Sequence, residues 1–310
     1  MAVGYLFAGQ GAQMLGMGEE LYHREKQVRE IFAQASEALG YDIAKLIFEE
    51  EDKLNQTQYT QPAVLTVSVA FWCLLEKKGL QADVMSGLSL GEYSALVASG
   101  AFDFQDALSL VNKRAHYMAE AAPSGVGKMV AVMNASRELI EEKCMEAQRF
   151  GVVAPANYNT PLQIVIGGEV KAVNEAVALL SAASVKRMVP LNVSGPFHTS
   201  LLKPASEKLA KALEEITIHD LKIPVISNTT AKVMKREEVK DLLTRQVMSA
   251  VHFDESIEMM KSMGARTFVE IGPGKVLSGF LRKIDKDLST SRVENLVTLE
   301  ETYEILGGNS

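Results

Sequence analysis

"SGLSLGEYSAL", residues 86–96, follows the β-rich run "ADVM" and leads into an apolar stretch that continues to Ser99. Ser89 has a glycine two places before it, Gly87, and another two places after, Gly91. A Gly-x-Ser-x-Gly turn between a strand and a helix holds the serine in a strained backbone conformation and exposes its hydroxyl, because the glycines remove side chains from a crowded bend. A strand ending near Ser86 and a helix running toward Ser99 supply that setting. The helix that follows points free N–H groups and its positive dipole end at the serine.

Working outward, "VGYLF" (3–7), an amphipathic "EELYHREKQVREIFAQASEAL" (19–39), a buried-looking helix over Ala63 to Lys77 and "ADVMSG" (82–87) alternate strand and helix. That rhythm predicts α/β architecture with a parallel sheet covered by helices. Between Gly125 and Gly195 it changes to strand "KMVAVMN", helix "SRELIEEKCMEAQRFG", strands "VVAPANYN" and "PLQIVIGGE", helix "VKAVNEAVALLSAAS" and strand "VKRMVPLNVSG". The β-α-β-β-α-β order is ferredoxin-like, so a small domain over 125–195 is expected inside a large one formed by 1–124 and 196–310. The flanks "APSGVG" and "SGPF" read as hinges. Beyond them come a helix from about Thr199 to Glu215, strands "PVISN" and "TFVEIG", a basic helix "KVLSGFLRKIDK", and a tail "TYEILGGNS" expected to fray.

Composition narrows the function classes. The 310 residues are 47% hydrophobic and 23% charged, as in a well-cored globule, and the formal charge of −7 carries no basic block of the kind nucleic acid requires. Cys73 and Cys144 lack the spacing of a disulfide framework or a zinc site. The N-terminus has no leader pattern, and the longest apolar run, Ala63 to Leu75, is too short to span a bilayer. A cytoplasmic protein without membrane anchoring is expected.

Two glycine-rich stretches invite nucleotide readings that fail. "FAGQGAQ" ends the first strand, but the third glycine of a dinucleotide fingerprint would fall at Met14. It reads instead as a tight loop beside the elbow, with Gln10 offering a backbone N–H to a developing oxyanion. "IGPGK" would need glycine at Val269 and a hydroxyl residue at Val276 to be a phosphate loop.

In the helix from Phe104 to Ala122, residues set roughly 100° apart give one broad apolar arc that includes Val111 and Met118, and Arg114 falls inside it. A guanidinium directed at a core is costly unless an anion meets it, either a protein carboxylate or a ligand. Of the five histidines, His23, His116 and His219 look solvated. His198 follows the breakers Ser194, Gly195 and Pro196 and points along the face of Leu202, Ala205 and Leu209, which makes it the candidate base for Ser89. His252 is the reserve.

With "LFAGQGAQ", "SLGEYSALVASG", "PANYNTP", "SGPFHTSLL" and "EIGPGKVLSGF" in this order, the chain resembles the malonyl-CoA:acyl carrier protein transacylases nearly end to end. The resemblance implies an α/β-hydrolase-like large domain with an inserted ferredoxin-like domain. It implies Ser89 as nucleophile, His198 as base and then acid, the N–H groups of Gln10 and Leu90 as oxyanion hole, and Arg114 as a bidentate clamp on the malonyl carboxylate. Phe197 resembles the residue of malonyl-selective members; Met118 and His252 complete the expected substrate-binding set. Two departures stand out. Leu88 replaces the histidine usual before the nucleophile, and "AVHF" places His252 where relatives carry a glutamine in the segment that orients the base.

The expected reaction is therefore malonyl transfer from coenzyme A to the phosphopantetheine thiol of acyl carrier protein, by a monomer, with no metal or bound cofactor. Lys275, Arg282, Lys283 and Lys286, with Lys186 and Arg187, are candidate cations for docking an acidic carrier. A serine hydrolase or thioesterase acting on a carboxylated acyl thioester is the nearest rival. A non-catalytic scaffold is the more distant one.

Overall fold

Nine strands occur among the described residues, which are all of this computed structural model except Met1, Ser124, Asn192, Ser194 and residues 308–310. They are β1 (Ala2–Phe7), β2 (Val84–Gly87), β3 (Gly127–Met133), β4 (Val153–Thr160), β5 (Gln163–Glu169), β6 (Arg187–Pro190), β7 (Val251–His252), β8 (Ala265–Ile271) and β9 (Ser289–Val293). Ser194, one of the expected breakers, and the last three residues of the tail lie outside the described residues.

Gly4 to Phe7 are buried without alternation, which is the signature of a strand covered on both faces in a parallel sheet. β1 indeed pairs in parallel with β2 on one side and β8 on the other, and β9 extends the sheet to the order β2-β1-β8-β9. The catalytic-looking turns therefore lie at the carboxyl ends of adjacent strands, after Phe7 and after Gly87. Helix Thr57–Lys77 packs on this sheet with most of its length buried, and helix Phe104–Ala121 packs against it, with Arg114 Nη1 donating to Gln61 Oε1 between the two.

The second sheet has the order β6-β3-β5-β4-β7 and is antiparallel except for β4 with β7. Its chain order is strand, helix Arg137–Ala147, two strands, helix Val170–Ala182, strand, as the sequence predicts. β3 reads as continuously apolar because its two faces serve different cores: Val130 and Val132 pack with Ile140, Cys144 and Val173, whereas Met129 and Ala131 join the main core with Phe7 and Phe197. The fifth strand, β7, comes from the segment after 196, so the two parts share a sheet edge rather than meeting only at hinges.

Three expectations change. "PVISN" makes only single bridges, Met85 to Val225 and Ile226 to Val233, because Pro224 lacks a ladder N–H and Asn228 turns inward to bond Gly87 O at 2.7 Å. The helix expected from Thr199 starts as a 3-10 turn, Ser200–Leu202, and becomes α-helical at Lys203–Glu214. The C-terminal stretch forms helix Leu296–Gly307, where Tyr303 donates its hydroxyl to Leu74 O at 3.2 Å. Among the described residues no helix is long and apolar enough to cross a membrane.

Candidate active site

Ser89 sits at φ 53°, the left-handed region, between the end of β2 and helix Gly91–Ala98. A Cβ on Gly91 would lie 2.1 Å from Phe7 O, and one on Gly87 would lie 2.1 Å from Gly91 C. Both glycines are thus required by close backbone approach. The strained residue is held from both sides: its N–H donates to Asn228 Oδ1 at 2.7 Å, and its carbonyl accepts from Gln246 Nε2 at 2.9 Å.

His198, 5% exposed and also at positive φ (60°), brings Nε2 to 2.8 Å from Ser89 Oγ. Its Nδ1 lies 2.8 Å from the carbonyl oxygen of Gln246. A carbonyl only accepts, so Nδ1 carries the hydrogen and Nε2 is left to accept the Ser89 proton. Burial, reinforced by the nearby Arg114 cation, lowers the His198 pKa to about 4 against the pull of that carbonyl. The imidazole is therefore a free base at neutral pH.

Arg114 is 1% exposed. Its Nη1 donates to Gln61 Oε1 at 2.6 Å, and its Nη2 to Ser89 Oγ at 3.0 Å and Gln246 Oε1 at 3.1 Å. All three acceptors are neutral. The guanidinium also lies 5.3 Å from the centroid of the Tyr93 ring. Burial lowers its pKa, with Tyr93 and Glu92 opposing, but a guanidinium starts so high that it stays charged. Glu92, 0% exposed, is pushed up to about 7 by burial and drawn back by donors from Gln246 and Asn228.

These groups open on a cavity of about 140 Å³ lined by Gln10, Gln61, Leu88, Ser89, Arg114, Met118, Phe197 and His198 on one side, and by Met129, Asn157, Asn159 and Val165 of the second sheet on the other. Gln61 donates to Gln10 Oε1 at 3.2 Å and to Met118 Sδ at 3.5 Å, which ties the loop after β1 to the arginine. The Gln10 and Leu90 N–H groups donate to no protein acceptor among the described residues. A hydroxyl facing a neutral imidazole, two available N–H groups and a desolvated cation can together accept, stabilise and hold an acyl group that carries its own carboxylate. No group of three or more metal-ligating side chains occurs among the described residues.

His252 stands apart from this cavity. β7 pairs it with Tyr158, and its ring stacks on that of Tyr158 at 5.1 Å, with Nδ1 3.5 Å from Glu255. The carbonyl that lies against His198 Nδ1 belongs to Gln246, six positions earlier, not to the His252 segment. Gln61 and Gln246 escaped the sequence reading although a signal existed: in "VKDLLTRQ" the buried positions are Val239, Leu242, Leu243 and Gln246, an amide at a core position of an amphipathic helix. Lys275, Arg282, Lys283 and Lys286 are exposed on or beside helix Val276–Ile284, whereas Lys186 and Arg187 are exposed at the start of β6. The first residues of that helix, Val276 and Leu277, line a second cavity of about 120 Å³ together with Gln10 and Leu88.

Residues 4–300 match the model of the acyl transferase domain. The malonyl CoA-acyl carrier protein transacylase of Bacillus subtilis (strain 168) is 43% identical over 307 residues, covering 98% of this chain and 97% of the relative. That of Escherichia coli (strain K12) is 40% identical over 304 residues, covering 97% and 98%. Among solved structures, MCAT from Streptococcus pneumoniae superposes with a TM-score of 0.96 at 57% identity, covering 98% of this chain and 100% of that one. A malonyl-transacylase in complex with a type II PKS acyl-carrier protein superposes with a TM-score of 0.96 at 39% identity, covering 100% of each. Agreement of this extent over nearly the whole chain means that it belongs to the acyl transferase family, among the malonyl CoA-acyl carrier protein transacylases.

Proposed function

We propose that this chain moves a malonyl group from coenzyme A to the phosphopantetheine thiol of acyl carrier protein by way of a malonyl ester on Ser89. The observation that carries the reading is Arg114, a buried cation hydrogen-bonded to the Ser89 hydroxyl itself. A hydrolase of neutral acyl groups gains nothing from such a group, whereas a malonyl carrier does.

Ser89 Oγ attacks the thioester carbon as its proton passes to His198 Nε2, whose Nδ1–H stays on the Gln246 carbonyl. The oxyanion takes the Gln10 and Leu90 N–H groups, and the coenzyme A thiolate leaves with the proton from His198. The carrier thiol then gives its proton to the same nitrogen and attacks the ester, and Ser89 Oγ leaves with that proton, which restores the free hydroxyl and the neutral imidazole. Arg114 grips the distal carboxylate throughout. Phe197 and Met118 form the apolar walls around the acyl chain. A thioester is already activated, so no metal or bound cofactor is called for.

The four-stranded parallel sheet with its elbow supports a hydrolase-like large domain (1–124 and 196–310), and the β-α-β-β-α-β unit supports a ferredoxin-like small domain (125–195). The chain is taken to act as a monomer, and the two free cysteines suit the cytoplasm. The cations around helix Val276–Ile284 suit the docking of an acidic carrier.

Incubation with labelled malonyl-CoA, followed by peptide mass mapping, is expected to place one malonyl adduct on Ser89; no adduct, or release of malonate without carrier protein, would end the reading. The acid limb of kcat/KM for acylation is expected near pH 4, because the free-enzyme base loses its acceptor lone pair only below that point. A limb near the ordinary value of 6.5 would mean that the imidazole is solvated when it reacts.

A further inference from the structure

A cation as deeply buried as Arg114 needs a counter-charge, yet its hydrogen-bond partners are all neutral amides or a hydroxyl. The charge is one residue further out. The Gln246 amide that accepts from Arg114 Nη2 through Oε1 donates through Nε2 to Glu92 Oε2 as well as to Ser89 O. Glu92 Oε1 accepts the Asn228 N–H at 3.2 Å. Asn228 in turn accepts the Ser89 N–H. Backbone and amide donors converge on Glu92, an arrangement that suits an acceptor-only carboxylate. An amide wedged between a guanidinium and a carboxylate satisfies both in one orientation only, oxygen toward the arginine and nitrogen toward the acid.

We propose that Glu92 is the relayed counter-ion of Arg114 and a positioning residue for acyl-group selection: by fixing the Gln246 amide it anchors the guanidinium while leaving it without a carboxylate of its own. A direct Arg–Glu pair would fill the clamp that the substrate carboxylate must enter. With the amide interposed, the ionised fraction of Glu92 offsets the Arg114 charge and the clamp stays open. The inference rests on the reading of Arg114 as the carboxylate clamp.

The test compares malonyl-CoA with acetyl-CoA as acyl donors to the full-length enzyme. Glu92→Gln removes the charge at constant shape and frees the Gln246 amide to turn. The malonyl-over-acetyl ratio of kcat/KM is expected to fall about tenfold, chiefly through KM for malonyl-CoA. Glu92→Asp, which keeps the charge, is expected to recover part of that ratio. Equal losses for both donors, or an unchanged ratio, would overturn the proposal by reducing Glu92 to a support of the turn at Ser89. If Glu92→Gln does not fold, Gln246→Glu serves instead: it puts a carboxylate directly on Arg114 and is expected to lower the ratio by occupying the clamp, and an unchanged ratio there overturns the proposal. Arg114→Ala run alongside separates the two ideas. If it loses malonyl preference while Glu92→Gln keeps it, the relay is wrong and the clamp stands; if it keeps that preference, the clamp itself is wrong and the relay falls with it.

Discussion

His198→Ala is expected to slow acylation of Ser89 by malonyl-CoA on the order of 10²- to 10⁴-fold, the range in which a positioned general base operates. The hydroxyl would keep its contact with Arg114 Nη2 at 3.0 Å but lose the imidazole that takes its proton, since Arg114 only donates. The second half-reaction should suffer as well, because the same nitrogen must deprotonate the carrier thiol. Single-turnover formation of the malonyl adduct, followed by intact-protein mass, reads the first step directly. A loss of less than about tenfold, well under the contribution expected of a general base, would remove His198 from the mechanism. The same loss from His252→Ala would transfer the role to a residue that stacks on Tyr158 outside the cavity.

Arg114→Ala carries the second large effect, and it is one of selectivity. Truncating one partner of a buried, hydrogen-bonded charge pair costs about 2–5 kcal/mol. About 3 kcal/mol, roughly a hundredfold, is therefore expected in the malonyl-over-acetyl ratio of kcat/KM. Acetyl transfer has no distal carboxylate and should fall much less. Arg114→Lys is expected to recover only part of the loss, because an ammonium cannot present a planar two-point fork to a carboxylate. Equal losses for both donors would mark Arg114 as a structural group of the elbow. The variant should also melt earlier than the parent, since Glu92 would be left buried without the cation whose field opposes its protonation.

Legibility in the sequence tracked locality. The elbow was readable because strand, glycines, serine and helix are contiguous, and each glycine meets backbone only a few residues away or on the neighbouring strand. The inward direction of Arg114 followed from helical periodicity alone. His198 emerged by elimination, helped by the breakers before it. Its partner Ser89 lies 109 positions away, and only the closing of the chain brings the two nitrogen and oxygen atoms to 2.8 Å. Gln246 is harder still, because it acts through three different atoms: its carbonyl orients His198, its Oε1 accepts from Arg114 and its Nε2 holds the Ser89 carbonyl. No local pattern encodes such a threefold use. The resemblance points to the His252 segment, whereas three-dimensional register sets the Gln246 carbonyl against His198. β7 puts His252 against Tyr158, and helix Val239–Gln246 ends where its last side chain meets the elbow.

By itself, then, the sequence determined the alternation of elements, the strained serine and the presence of a cation with nowhere solvated to go, because these are consequences of short-range sterics and of where apolar residues recur. Tertiary structure alone decided which acceptors surround that cation. Hydrogen-bond partners in the site are up to 157 residues apart, and their choice is made when the core around β1 and β2 excludes water, leaving each buried polar group to find whichever partner the packing brings within reach.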